Sequence, residues 1–290
     1  MHLEATIEPP LGYVDLHLHS TASDGVLSPA AVAREVAAHG LCGFSLTDHD
    51  TADGIEEAAA EASSLGLEFL VGAELSANAP GRSIHILAYG FDPADAGMRA
   101  FFRDFRADRL RRTDEIVQRL QTLGAGVTMD DVMAEAGEGV PTRAHVGRAL
   151  VNGGWVREQN EAFQRYIARG KPAFVEKMPT PPEKVCERVR RAGGVTILAH
   201  PGRDFTAAEL AHWMDDGFDG VEILHPRNDP GVRRQLEQLA DQKDLLRGGG
   251  SDWHGADSGA PPGSQRVPQD WMNSIRLRCE DAKKRRSGDV

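Results

Sequence analysis

A chain of 290 residues, 40% of them hydrophobic and 27% charged, is large enough for one substantial core and polar enough to be globular. Its net charge of -11 argues against a protein that coats long nucleic acid through phosphate contacts, but leaves room for an anionic substrate held on bound cations. No stretch approaches the ~20 apolar residues that span a bilayer, and the N-terminal MHLEATIEPPLGY has no basic or apolar leader pattern. The expectations are therefore a cytoplasmic chain with no membrane segment and no obligate protein partner. Three scattered cysteines, Cys42, Cys186 and Cys279, suggest neither a disulfide framework nor a cysteine zinc site.

In chain order, YVDLHLH (13–19) alternates strictly and predicts a strand. SPAAVAREVAAHG predicts a helix with Ser28 as N-cap, Pro29 in its first turn and Gly40 as its stop. CGFSLTDH predicts a second strand, TADGIEEAAAEASSLG a second helix, and LEFLVGAELS and SIHILAYG two further strands. From Met98 to Gly124 runs one long arginine-rich helical pattern. Helical or loop segments continue from it, so 96–170 is expected to be a helical insertion forming part of a substrate pocket. EKVCERVRRAGG, TAAELAHWMDDG and RRQLEQLADQKD then predict helices between the strands VTILAHP, GVEILHP and LLRGGGSDWHG. Such alternation argues for an α/β fold with a mostly parallel sheet, built from 13–95 and 171–258. Residues 259–290 are expected to be loop and tail, with the basic Lys283 to Arg286 a solvated terminus.

Ligand-type residues fall at the ends of these strands, where parallel α/β folds gather their chemistry. His17 and His19 share one face of the first strand, about 6–7 Å apart by the two-residue period. Asp24, His49, Glu74, His85, His200, Asp252 and His254 follow at or near later strand ends. A single strand histidine is ordinarily a hydrogen-bonded core or surface residue. Six histidines and three carboxylates buried together would be very costly without metal. Mixed nitrogen and oxygen donors without cysteine suit manganese, zinc or iron. His225 also ends a strand and is a candidate general acid. Asp48 is placed beside it in the catalytic set, more as an orienter of a ligand than as a ligand itself.

At DLHLHSTASDG, SLTDHD, GAELS, HILAYG, LAHPGR and GSDWHG, in that order, the sequence resembles the PHP family, the polymerase and histidinol phosphatase phosphoesterases. The resemblance covers about Tyr13 to Gly255. It implies a distorted (β/α)7 barrel with three divalent ions, expected to be manganese, at the strand carboxyl ends. One ion would take His17, His19, Glu74 and Asp252, and a second would share Glu74 and add His85 and His200. The third would take Asp24, His49 and His254. HSTASDG, TDHDT, the arginine-rich helix and PTRAH are most similar to the bacterial branch acting on nucleoside 3',5'-bisphosphates and 5'-phosphorylated short RNA. Ala144 and the tail after Gly255 depart from that pattern.

The implied activity is hydrolysis of the 3'-phosphate, or of the scissile diester in short RNA, to give nucleoside 5'-monophosphates. The partner is then a small nucleotide or short oligonucleotide. Arg106, Arg109, Arg143 and Arg203 are the candidates for the second phosphate, with Arg111 and Arg112 expected on the surface. The competing readings are a histidinol-phosphate phosphatase, an amide or ester metal hydrolase, and a non-catalytic module.

Overall fold

In the computed structural model, which describes residues 12–79, 82–137, 139–215, 217–256 and 259–287, β1 (Tyr13–Leu18) is buried at every position after Tyr13. The N-terminal segment read for a leader signal lies, apart from Gly12 and Tyr13, outside the described residues. Beside β1 come β2 (Gly43–Leu46), β3 (Glu68–Ala79), β4 (Arg82–Tyr89), β5 (Val195–Leu198), β6 (Gly220–Leu224) and β7 (Leu246–Gly249), neighbours in that order. A short β8 (Val267–Pro268) adds antiparallel to the other edge of β1. The barrel is nearly closed by the segment after β7. There Asp252 N–H donates to the His17 carbonyl at 2.9 Å, and His19 N–H donates to the Trp253 carbonyl at 3.0 Å. Gly250 permits this approach, since a Cβ there would fall 2.4 Å from His17 Cβ.

One strand breaks the parallel expectation. β4 runs antiparallel to both β3 and β5. Its link to β3 spans only positions 80 and 81, whereas a parallel return needs a crossover of roughly a dozen residues. β3 also continues past Glu74 to Ala79, so Glu74 lies mid-strand rather than at a strand end.

Helices α1 (Pro29–Ala38), α2 (Ile55–Leu65), α7 (Pro182–Arg191), α8 (Ala207–Asp215) and α9 (Pro230–Lys243) connect the strands. Ser28 Oγ accepts from Ala31 N–H and Pro29 opens α1, as its sequence predicts. Fully buried Leu75, Ile86, Ile223 and Leu236 pack strands against the outer helices, each worth about 1.5–3 kcal/mol by burial. Inside the barrel Tyr89 is fully buried, and its hydroxyl donates to the Leu16 carbonyl at 2.7 Å.

Between β4 and α7 come α3 (Ala96–Thr122), α4 (Met129–Ala136), α5 (Arg143–Asn152), α6 (Gln159–Ala162) and a π-helical turn (Phe163–Ile167). Ile116, Leu120, Val132, Val146, Leu150 and Ile167 give this segment an apolar core of its own. Residues 269–287 form α10 (Gln269–Ser287) rather than the expected loop and tail. Met272, Ile275 and Cys279 recur at helical spacing and pack on the barrel residues Val14, Val195 and Leu246.

Candidate metal centre

His17 Nε2 lies 3.2 Å from Glu74 Oε2 and 3.3 Å from Asp252 Oδ1. His19 Nε2 lies 3.2 and 3.1 Å from the same two oxygens. Ligand atoms about 2.1 Å from one tetrahedral ion stand about 3.4 Å apart, so this quartet encloses a cation-sized space. Glu74 turns its other oxygen, Oε1, to His85 Nδ1 at 2.8 Å and His200 Nε2 at 3.0 Å. One carboxylate thus serves two groups. In a third group, Asp24 Oδ1 lies 3.4 Å from His254 Nε2 and 3.9 Å from His19 Nδ1, and Asp24 Oδ2 lies 3.9 Å from His49 Nε2.

All nine ligand positions expected from the sequence meet in this cluster, with two differences of grouping. His49 faces Asp24 with Nε2 and Glu74 Oε2 with Nδ1, at 3.2 Å. His19 likewise faces both the Glu74 and the Asp24 groups. His85 belongs to the early half of β4, which reaches the cluster because β4 runs against its neighbours. His200, Asp252 and the nearby Asp50 hold positive φ, a strained backbone for these residue types that concentrates at functional sites.

The donor set fits divalent cations on evidence internal to the site. Among the described residues neither ring nitrogen of His19 nor Nδ1 of His49 makes a well-directed hydrogen bond, although carboxylate oxygens stand 3.1–3.2 Å from His19 Nε2 and His49 Nδ1, a state that metal ligation would relieve. Burial opposes ionisation of Glu74, but His49, His85 and His17 outweigh it and hold the carboxyl well below its usual range. Burial likewise opposes charge on His19, yet Asp252 and Glu74 push it up to about 10. A cation among these carboxylates would take over that role from a proton.

Glu222, which sequence reading missed, fixes part of the arrangement. Fully buried on β6, it accepts from His17 Nδ1–H at 2.9 Å and from His200 N–H at 2.6 Å. Burial opposes its charge, but His17 and His225 hold its carboxyl below the ordinary value, so it accepts as a carboxylate. The proton of His17 is thereby placed on Nδ1, leaving Nε2 to face Glu74 and Asp252. His254 is oriented the same way, its Nδ1 2.8 Å from the Asp252 carbonyl.

Of the two residues placed in the catalytic set, His225 is buried against the cluster. It accepts from Arg227 N–H at Nδ1 (3.0 Å), so its proton sits on Nε2, 3.3 Å from Asp252 Oδ2. Asp48 does not face the ligands. Its carboxylate accepts from Ser20 N–H, Ser20 Oγ and Ser23 Oγ at 2.6–2.7 Å and so holds the loop that presents Asp24. Asp15 is spent in the same way on the amides of His17, Ser251 and Gly263.

Beside the cluster lies a cleft of about 600 Å³. Asp24, His49 and His85 form one side, and Arg109, Arg112, Arg143 and Lys177 line it with Phe163. Arg109 is buried and pairs through Nε and Nη2 with Asp50. Arg106 does not join it, despite the i, i+3 spacing. It turns outward toward Asp53 at 3.8 Å and lines a separate cleft. Arg203 is exposed and paired with Asp229. Arg112, expected on the surface, is only 6% exposed. Lys177 was not anticipated at all; burial first, then Arg109, lowers it to about 7.

The PHP domain family matches residues 15–171, more than half of the chain. The chain belongs to the PHP family. The resemblance drawn from its six ordered motifs is thereby confirmed. A 5'-3' exoribonuclease from Haemophilus influenzae is 38% identical over 83% of this chain and 89% of its own length. A 3',5'-nucleoside bisphosphate phosphatase from Chromobacterium violaceum is 32% identical over 85% of this chain and 88% of its own. Among solved structures, a protein described as a metal-dependent phosphoesterase from Bifidobacterium adolescentis superposes with a TM-score of 0.86 at 33% identity, covering 93% of this chain and 98% of that one. An amidohydrolase from Chromobacterium violaceum, solved with sulfate and no metal, gives 0.82 at 29% identity over 92% and 96%. The expected α/β barrel and PHP-type architecture are therefore those of the family, and no helix among the described residues is long and apolar enough to cross a membrane.

Proposed function

We propose that this PHP protein is a metal-dependent phosphoesterase that removes the 3'-phosphate of nucleoside 3',5'-bisphosphates and releases 5'-mononucleotides from 5'-phosphorylated short RNA. One observation carries the substrate choice: a single cleft has the ligand cluster on one side and four cationic side chains on the other. Only Arg109 among those four has a carboxylate within ion-pair distance among the described residues. The cleft therefore offers two separate anion-binding centres, as a bisphosphate requires. The segment 96–170 supplies Arg109, Arg112, Arg143 and Phe163, and we assign it as the substrate-binding insertion.

His17, His19, Glu74 and Asp252 would hold one divalent ion, Glu74 with His85 and His200 a second, and Asp24 with His49 and His254 a third. Manganese is our expectation, with zinc and iron the alternatives. Bound ions of this kind activate water near neutral pH and offset charge on a phosphoryl group. Arg143, Arg112 and Lys177 bind the 5'-phosphate and so aim the 3'-phosphate at the cluster. Glu222 keeps the His17 proton on Nδ1. His225 presents an Nε2–H beside Asp252, placed to hydrogen-bond that carboxylate or the departing 3'-oxygen.

The test is a comparison under manganese of adenosine 3',5'-bisphosphate, 3'-adenosine monophosphate and histidinol phosphate. The bisphosphate should give the highest kcat/KM. Arg143→Ala should raise KM for the bisphosphate far more than for the 3'-monophosphate. Faster turnover of histidinol phosphate, or equal effects of the substitution on both nucleotides, would overturn the assignment.

A further inference from the structure

Arg112, Arg143 and Lys177 do not face one cleft alone. They also line a second cleft of about 780 Å³, which continues between the β3–β4 hairpin and the segment after the π-helical turn. Arg82, Arg169 and Phe174 line it further out. The first cleft opens on the ligand cluster through Asp24, His49 and His85, none of which lines the second, so the second carries the same cationic surface away from the cluster.

Its charge indicates what belongs there. Arg112 is 94% buried by its 6% exposure, and its hydrogen-bond partner is a carbonyl, that of Val175, at 3.4 Å. Burial, then the neighbouring Arg109 and Arg143, lowers it to about 10. Arg143 likewise donates to a carbonyl, that of Ile167, at 3.3 Å, and lies over the rings of Phe163 and Phe174. Lys177 Nζ donates to Ser76 Oγ at 3.1 Å. Arg82 and Arg169 are ion-paired to Glu209 and Glu176 at the rim. Three cations with no ion-paired carboxylate among the described residues thus stand between the two clefts, where one phosphate could touch them from one side and a longer anion from both.

We propose that the second cleft takes a polyphosphate chain extending from the 5'-phosphate, so that the protein accepts nucleotides and short RNA carrying a 5'-di- or triphosphate. This rests on the bisphosphate reading above. The reaction is unchanged: water adds to the 3'-phosphorus, the bond from phosphorus to O3' breaks, and O3' leaves with a proton. Adenosine 5'-triphosphate 3'-monophosphate then yields phosphate and adenosine triphosphate.

The experiment compares that compound with adenosine 3',5'-bisphosphate on the manganese-loaded protein, at equal free manganese because the triphosphate chelates it. The triphosphate substrate should show a kcat/KM within tenfold of the bisphosphate. Arg169→Glu should lower the triphosphate value at least fivefold more than the bisphosphate value, chiefly through KM. Turnover of the bisphosphate with a triphosphate value more than tenfold lower would mean that Arg112, Arg143 and Lys177 form a closed wall, and would overturn the inference. An equal effect of Arg169→Glu on both substrates would overturn it too. Failure to hydrolyse either compound would instead refute the bisphosphate reading itself.

Discussion

Replacing Glu222 with glutamine changes shape little and charge completely. The carboxylate accepts two hydrogen bonds, from His17 Nδ1–H and from His200 N–H, one on each oxygen. A glutamine has one acceptor oxygen, so its NH2 must face one of the two donors. If it faces His200 N–H, a largely buried donor pair is left unsatisfied, at about 1–3 kcal/mol. If it faces His17, the imidazole can shed its Nδ1 proton and take it at Nε2, which removes the lone pair aimed at Glu74 and Asp252. Either route weakens a ligand, His200 of one group or His17 of another. Loss of such a partner typically costs 10–100-fold in metal affinity, about 1.4–2.7 kcal/mol. The assay is manganese titration of chelator-stripped protein, followed by calorimetry, with circular dichroism to confirm folding. Glu222→Gln should bind manganese 10–100-fold more weakly. A dissociation constant within twofold of wild type in a folded variant would refute the assigned role.

Three further outcomes are expected. Asp50→Asn should lower the melting temperature at pH 7 by an amount corresponding to about 3–5 kcal/mol, because it strands buried Arg109. Burial opposes the Asp50 charge, but Arg109 and Lys177 outweigh it and lower its pKa. Its stabilisation is therefore complete above the unfolded value of about 3.9 and lost as pH falls through the folded value. The gap between wild type and variant should hold from pH 5 to 7 and narrow below pH 4; a gap that widens there would contradict the pairing. Lys177, lowered to about 7, is charged below that pH and neutral above it. KM for a bisphosphate should accordingly rise between pH 6 and 8.5 in wild type, and much less in Lys177→Met; parallel profiles would remove Lys177 from the substrate site. Gly250→Ala should destabilise by several kcal/mol, since its methyl group would fall 2.4 Å from His17 Cβ, and a melting temperature within about 1 °C of wild type would show that the approach can relax.

Most of the ligands were legible because they sit within or shortly after apolar strand motifs, so position along the chain already implied position in the barrel; Asp24, in the loop after β1, was legible through the DLHLHSTASDG motif. The direction of β4 was legible too, though unread: APGR between two apolar runs is a hairpin signal, and it explains how His85 reaches the cluster from early in its strand. Glu222 gave a weaker signal. GVEIL reads as an ordinary strand, and only the closure of the barrel turns that carboxylate onto His17. Arg112 and Lys177 meet across a long stretch of chain, so no local pattern joins them. The α10 helix was hidden by the Pro- and Gly-rich run before it and the basic run at its end, although Met272, Ile275 and Cys279 carried its period.

The segment that shuts the barrel is also the one that delivers Asp252 and His254. Asp252 donates its amide to β1 and aims its carboxylate at His17 of that strand and His19 just past its end. An ion held between them would therefore clasp the seam of the barrel and couple occupancy of the site to integrity of the ring. Stripping the metal should be felt as looser hydrogen bonding along that seam, with faster amide exchange at His19 and Asp252 than at the β2–β3 ladder on the other side of β1. A metalloenzyme built in this way reports the loading of its centre through the closure of its fold.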